Sequence, residues 1–130
     1  LQAVTVGDRA SEATEALNKA GDYTAAYYLH GLSVSTAEAV ADWAHRRILE
    51  ELDLPPAQGH RYSWGYPACP DLEQHETLFQ LLPARDIGMD LSSAFQLIPE
   101  QSTAALVVHH PEAIYYSVFS AAERAAAASG

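Results

Sequence analysis

Residues 61–71, Arg61-Tyr62-Ser63-Trp64-Gly65-Tyr66-Pro67-Ala68-Cys69-Pro70-Asp71, gather the side chains best suited to holding a ligand. The Arg61 guanidinium is a planar fork matched to a carboxylate. Tyr62, Trp64 and Tyr66 offer faces for stacking and for contact with a cation. Gly65 permits close approach. Pro67 and Pro70 are expected to keep the backbone extended, so that its N–H and C=O groups seek partners outside helix and sheet, a ligand among them. On the residues alone, a rigid structural loop with core aromatics is the plainer reading of the same segment.

Three other groups invite chemistry. Glu38, Asp42 and His45 stand four and three residues apart, on one face of a helix, and resemble a metal-binding face. No clear fourth ligand accompanies them, and a solvated acidic cluster accounts for the spacing. His109 and His110 are adjacent in a β-prone run, so they point to opposite faces and cannot chelate one ion. His110, before Pro111, is read as a structural or ligand-side hydrogen-bonding residue. Cys69, the single cysteine, has no companion thiol and no supporting histidine spacing, and is expected to be a small buried filler.

The elements that must position these residues can be read from periodicity. Residues 11–17 suit a short helix ending near Gly21, and Asp22 is a plausible N-cap for a second. Gly31, Val34 and Thr36 are expected to loosen that second helix. From Ser35 onward Ala37, Val40, Ala41, Ala44, Ile48 and Leu52 recur at helical steps, up to Pro55 and Pro56. Trp43, Ala44 and Ile48 are expected to hold this long helix against a sheet. Residues 55–70 read as a loop. Asp71, with Gln74 at the capping-box position, opens a helix through Leu82. Residues 91–98, 104–109 and 114–119 are short β-prone runs, and 121–130 an Ala-rich stretch expected to be poorly ordered. Helices first and strands later predict an α+β fold: helices on a small, mainly antiparallel sheet, with a long central helix.

The 130 residues suffice for one compact domain. Seven Lys and Arg against seventeen Asp and Glu give a net charge of -10, which disfavours nucleic acid as a partner and suits a basic protein patch or a cationic ligand. No apolar run is long enough to cross a membrane. One cysteine allows no internal disulfide, and cytoplasmic residence is the simplest expectation. The N-terminus, lacking an initiator Met and a signal pattern, suggests a piece of something longer.

The motif Arg61-x-x-x-Gly65-Tyr66-Pro67-Ala68-Cys69-Pro70 resembles the signature of the activation domain of cobalamin-dependent methionine synthase. Tyr28-Leu29-His30-Gly31-Leu32, Ala37-Glu38-Ala39, His45-Arg46-Arg47-Ile48, Ile87-Gly88-Met89, Pro99-Glu100-Gln101-Ser102, His110-Pro111 and Tyr115-Tyr116 are similar to that family in order and spacing, over residues 1–119. The resemblance implies that residues 1–119 are the C-terminal portion of such a domain, with 120–130 a tail, and that the domain binds S-adenosylmethionine. Arg61 would engage the methionyl carboxylate, and Tyr66 and the Ala68-Cys69 backbone would line the site. Glu38 would stand near the ligand's positive end. Val107 and Val108 hold the place of a ligand-touching aromatic pair, where backbone contacts can persist but stacking cannot. A further acidic residue would come from an upstream half of the domain.

The implied activity belongs to a parent methyltransferase, itself a zinc protein of methionine biosynthesis, that moves a methyl group from methyltetrahydrofolate to homocysteine through cobalamin. The activation module presents S-adenosylmethionine to oxidised cobalamin on a neighbouring domain, with an electron from a flavodoxin-like donor; by itself the fragment catalyses nothing. A separate activation protein acting in trans, and a non-catalytic acidic interaction module, are the alternatives.

Overall fold

Asp22 begins the longest element by accepting a hydrogen bond from the Ala25 N–H at 3.0 Å, the expected cap. In the computed structural model this helix, α2 (Tyr23–Glu51), follows β1 (Gln2–Thr5) and α1 (Arg9–Lys19). It runs unbroken through Gly31, Val34 and Thr36, against the expectation of a loosened segment. Ser33 Oγ and Thr36 Oγ1 donate to the carbonyls of His30 and Leu32, each at 2.8 Å, so the polar side chains fold back onto the helix. Packing against α1 and the sheet supplies the rest. The helix ends before its prolines. The N–H groups of Asp53 and Leu54 return to the carbonyls of Glu50 and Leu49, with Asp53 in the left-handed region at φ 54°.

The structure describes residues 1–55 and 58–114. The expected β-run beyond Ile114 and the Ala-rich stretch lie outside them. After α2 come β2 (Gly59–Ser63), α3 (His75–Leu81), β3 (Asp90–Leu91), β4 (Leu97–Ile98) and β5 (Ser102–His109), with 3-10 turns at Leu72–Gln74 and Ala84–Ile87. No helix among the described residues is long and apolar enough to cross a membrane.

The α+β expectation holds, with three corrections to its strands. Residues 59–63, expected within a loop, form β2; and β1, where no strand is expected, opens the chain. Both pair antiparallel with β5 in the order β1-β5-β2. Each is short and carries polar residues, so neither has a strong strand pattern of its own. The Val-rich β5 supplies ladder partners to both. The β-run at 91–98 is a two-stranded hairpin of β3 and β4 closed around Ser92 and Phe95, not one strand.

Side chains alternate across the sheet, and the two faces are covered differently. Gln2, Val4, Arg61, Thr103, Ala105 and Val107 share the face under α2, where Gln2 Nε2 donates to the Ala41 carbonyl at 2.7 Å. The buried positions of α2 are Ala26, Ser33, Ala37, Ala41 and Leu49, mostly small, which lets the helix approach closely. At Gly59 any side chain would collide with Leu49. Trp43 does not join this seam; it is 62% exposed, because two residues beyond Ala41 is about 200° around a helix. Ala44 and Ile48 are half-buried flanks.

The opposite face, including Ala3 and Ala104, is closed by Leu78, Phe79, Ala84 and Met89, with Trp64, Leu82, Leu91 and Leu97 packed around them. Leu78 and Met89 are the largest fully buried side chains.

Candidate functional site

Arg61 leaves the middle of β2 towards α2 and is only 17% exposed. Its Nη2 donates to Asp42 Oδ1 at 2.9 Å and to Glu38 Oε2 at 3.2 Å. Glu38 and Asp42 are one turn apart on α2, so a single guanidinium reaches both. The carboxylates themselves are 57% and 60% exposed. Nη1 of Arg61 is screened from solvent and meets no partner among the described residues. A buried charged donor without an acceptor is costly, and an anion would relieve it.

Val107 is the cross-strand partner of Arg61 and shares its face. Val108 pairs with His60 on the other face, so the two valines cannot present side chains to one ligand. Arg61, Glu38 and Val107 are therefore brought together, and Val108 is turned away from them.

Tyr66, Ala68 and Cys69 lie in the turn that leaves β2. The expectation of an extended, unpaired backbone here is corrected. Gly65 N–H donates to the Cys69 carbonyl at 2.8 Å, and Cys69 N–H to the Tyr66 carbonyl at 2.9 Å, closing a tight reversal with Pro67 and Ala68 at its tip. Cys69 thus spends its backbone groups internally, while the exposed Ala68 makes no hydrogen bond among the described residues. Gly65 has φ 85° with Leu72 against it, a conformation that favours glycine. Tyr66 is 60% exposed, its ring free to meet a ligand. Cys69 is a half-buried free thiol, less enclosed than expected.

The reversal is anchored from behind. Trp64 Nε1 donates to Gln74 Oε1 at 2.9 Å, and its ring meets that of buried His75 edge-on at 5.3 Å. Gln74 is therefore occupied by Trp64 and does not complete a capping box; Asp71 caps alone, accepting from Glu73 N–H. His75 Nδ1 donates to the Phe95 carbonyl at 2.7 Å.

The supposed metal face resolves differently: Glu38 and Asp42 converge on Arg61, and His45 Nδ1 is buried without a partner among the described residues. His110 Nδ1 accepts from Glu112 N–H at 3.2 Å, a structural role, and His109 Nε2 meets Gln58 at 3.1 Å. What sequence reasoning missed is Asp42 as a partner of Arg61. Its place one turn after Glu38 was visible; the approach of β2 was not.

The family model for the activation domain of vitamin B12-dependent methionine synthase matches residues 1–126. The chain belongs to that family. Among curated proteins, the methionine synthases of Mycobacterium tuberculosis and Mycobacterium leprae are 39% and 38% identical over 91% of this chain, which spans only 12% and 11% of their lengths. A solved MetH reactivation domain bound to AdoHcy superposes with a TM-score of 0.79 and 28% identity, over 95% of this chain and 45% of that one. The activation-domain resemblance carried by the Arg61 to Pro70 motif is thus met by family and fold alike.

Proposed function

We propose that this activation-domain chain binds S-adenosylmethionine and serves the reactivation of a cobalamin-dependent methionine synthase. The observation that carries the reading is the convergence of Arg61 and Glu38, 23 residues apart in sequence, at 3.2 Å. The resemblance assigned these two residues to the opposite charges of one ligand. The likeness to a reactivation domain solved with AdoHcy, a ligand differing from S-adenosylmethionine by one methyl group, supports the same chemistry.

The residues fit such a ligand. Arg61 retains unused donor capacity for a carboxylate, and Glu38 offers an exposed anion for an ammonium or sulfonium. Tyr66 presents an exposed ring and the Ala68 N–H an open donor; the Cys69 carbonyl, which keeps a second lone pair, and the backbone at Val107 and Val108 complete the candidate set. S-adenosylmethionine supplies a methyl group on a cationic sulfur. The chain's contribution is to hold and orient that ligand, so that the methyl transfer happens between partners already placed. No acid–base group is required of it.

The neighbours in this reading are the cobalamin-bearing domain of the parent methyltransferase and a flavodoxin-like electron donor, in the cytoplasm, with neither nucleic acid nor membrane involved. An acidic chain of charge -10 suits basic docking patches on such partners. Calorimetric titration of S-adenosylmethionine into the full chain tests the site. Arg61→Ala should weaken binding by about 2–4 kcal/mol through loss of a charge-assisted pair. Equal affinity in variant and wild type would overturn the assignment.

A further inference from the structure

The two carboxylates on Arg61 are not equivalent. Both act through Nη2, which has two hydrogens: one goes to Asp42 at 2.9 Å and the other to Glu38 at 3.2 Å. That nitrogen is saturated, so a ligand carboxylate can join it only if one protein carboxylate leaves. Glu38 makes the longer contact and carries the extra methylene, hence more rotamers to swing through. Asp42 is shorter and closer. A zwitterionic amino-acid group brings its own cation and anion on neighbouring atoms. Its ammonium can take Glu38 while its carboxylate takes Glu38's place on Arg61, with every charge still compensated.

We infer that Asp42 is the positioning residue of the site: it keeps hold of Arg61 Nη2 while Glu38 releases it to receive the ligand's cationic group. The inference rests on the proposed ligand. Asp42 touches no ligand atom in this scheme. Without its charge, Arg61 keeps Glu38 as its one ionic partner among the described residues, and the ligand must compete with the guanidinium for Glu38. The contact that fixes the guanidinium's plane also weakens from charge-assisted to neutral, and a bidentate acceptor is sensitive to that plane.

The test is a comparison of S-adenosylmethionine with its decarboxylated analogue, which keeps the sulfonium and an amine but has nothing for Arg61 to hold. Both are titrated calorimetrically into the full wild-type chain, Asp42→Asn and Asp42→Glu, with circular dichroism checking the fold. Asp42→Asn should lose about ten-fold in affinity for S-adenosylmethionine and less than about two-fold for the analogue. Asp42→Glu, which keeps the charge, should stay within about three-fold of wild type for both. A loss of equal size for the two ligands, no loss at all, or an Asp42→Glu variant as weak as Asp42→Asn would overturn the positioning role while the ligand assignment stood. A wild-type chain that bound neither ligand would overturn that assignment, and this inference with it.

Discussion

The two faces of the three-stranded sheet do different work with the same backbone. Under α2 the sheet meets small side chains and itself carries a guanidinium held by two half-exposed carboxylates of the helix. Under α3 and the β3–β4 hairpin it meets Leu78, Phe79 and Met89, a dry apolar cluster. Neighbouring residues of β5, such as Ala104 and Ala105, belong to opposite regimes. The contrast teaches that the apolar face supplies most of the cohesion, and that the α2 face is thereby free to hold charge that a ligand can rearrange. Charged pairs contribute little net stability when half wet, but they discriminate sharply between ligands.

The strongest way to break the comparison is at the apolar face. Leu78→Ala removes a side chain that is 1% exposed and should cost about 2–5 kcal/mol in stability, read as a shifted denaturant midpoint. Arg61→Ala, measured the same way, should shift the midpoint much less. If the two costs were equal, the ion-pair face would be as structural as the core, and the division of labour would fail.

The α2 face can be sharpened by charge alone. Glu38→Gln preserves shape while removing the anion. It should weaken S-adenosylmethionine and S-adenosylhomocysteine alike, by about 1 kcal/mol each, since both carry the ammonium that takes Glu38 and the site is partly wet. Paired titrations at low and high salt check this. A larger loss for S-adenosylmethionine would mean that Glu38 reads the sulfonium instead of the shared ammonium.

The smallest effect belongs to α1, outside both buried faces. The hydrogen bond from Lys19, 2.6 Å away, and secondly its charge, hold the Glu15 carboxyl below the usual carboxylate range. A carboxyl whose folded pKa is depressed adds stability above its unfolded value and loses it as pH falls through the folded one. Lys19→Ala should therefore melt slightly earlier than wild type at neutral pH, and the gap should close in acid. A gap that persisted in acid would trace to the charge of Lys19 at the C-terminal end of α1 instead of the pair.

The elements that sequence determined were those written in adjacent residues. Asp22 capping a helix, the helical recurrence of Ala37 and Ala41, and Val-rich β5 all rest on local propensity or a short period, which a single segment carries by itself. The ten-residue motif was equally legible, since its identity lies in consecutive residues. Tertiary structure decided the rest. β1 and β2 become strands because β5 lies between them, with Gln2 opposite Ala105 and Arg61 opposite Val107, and no local window contains a partner that distant. Trp43 points outward because the sheet meets α2 along the Ala37–Ala41 line, not along the bulky residues beside it. The link from Asp42 to Arg61 is of the same kind. Helical spacing put Asp42 on the face of Glu38, but only the docking of β2 against that face, permitted at Gly59 by the missing side chain, brought a guanidinium within 2.9 Å.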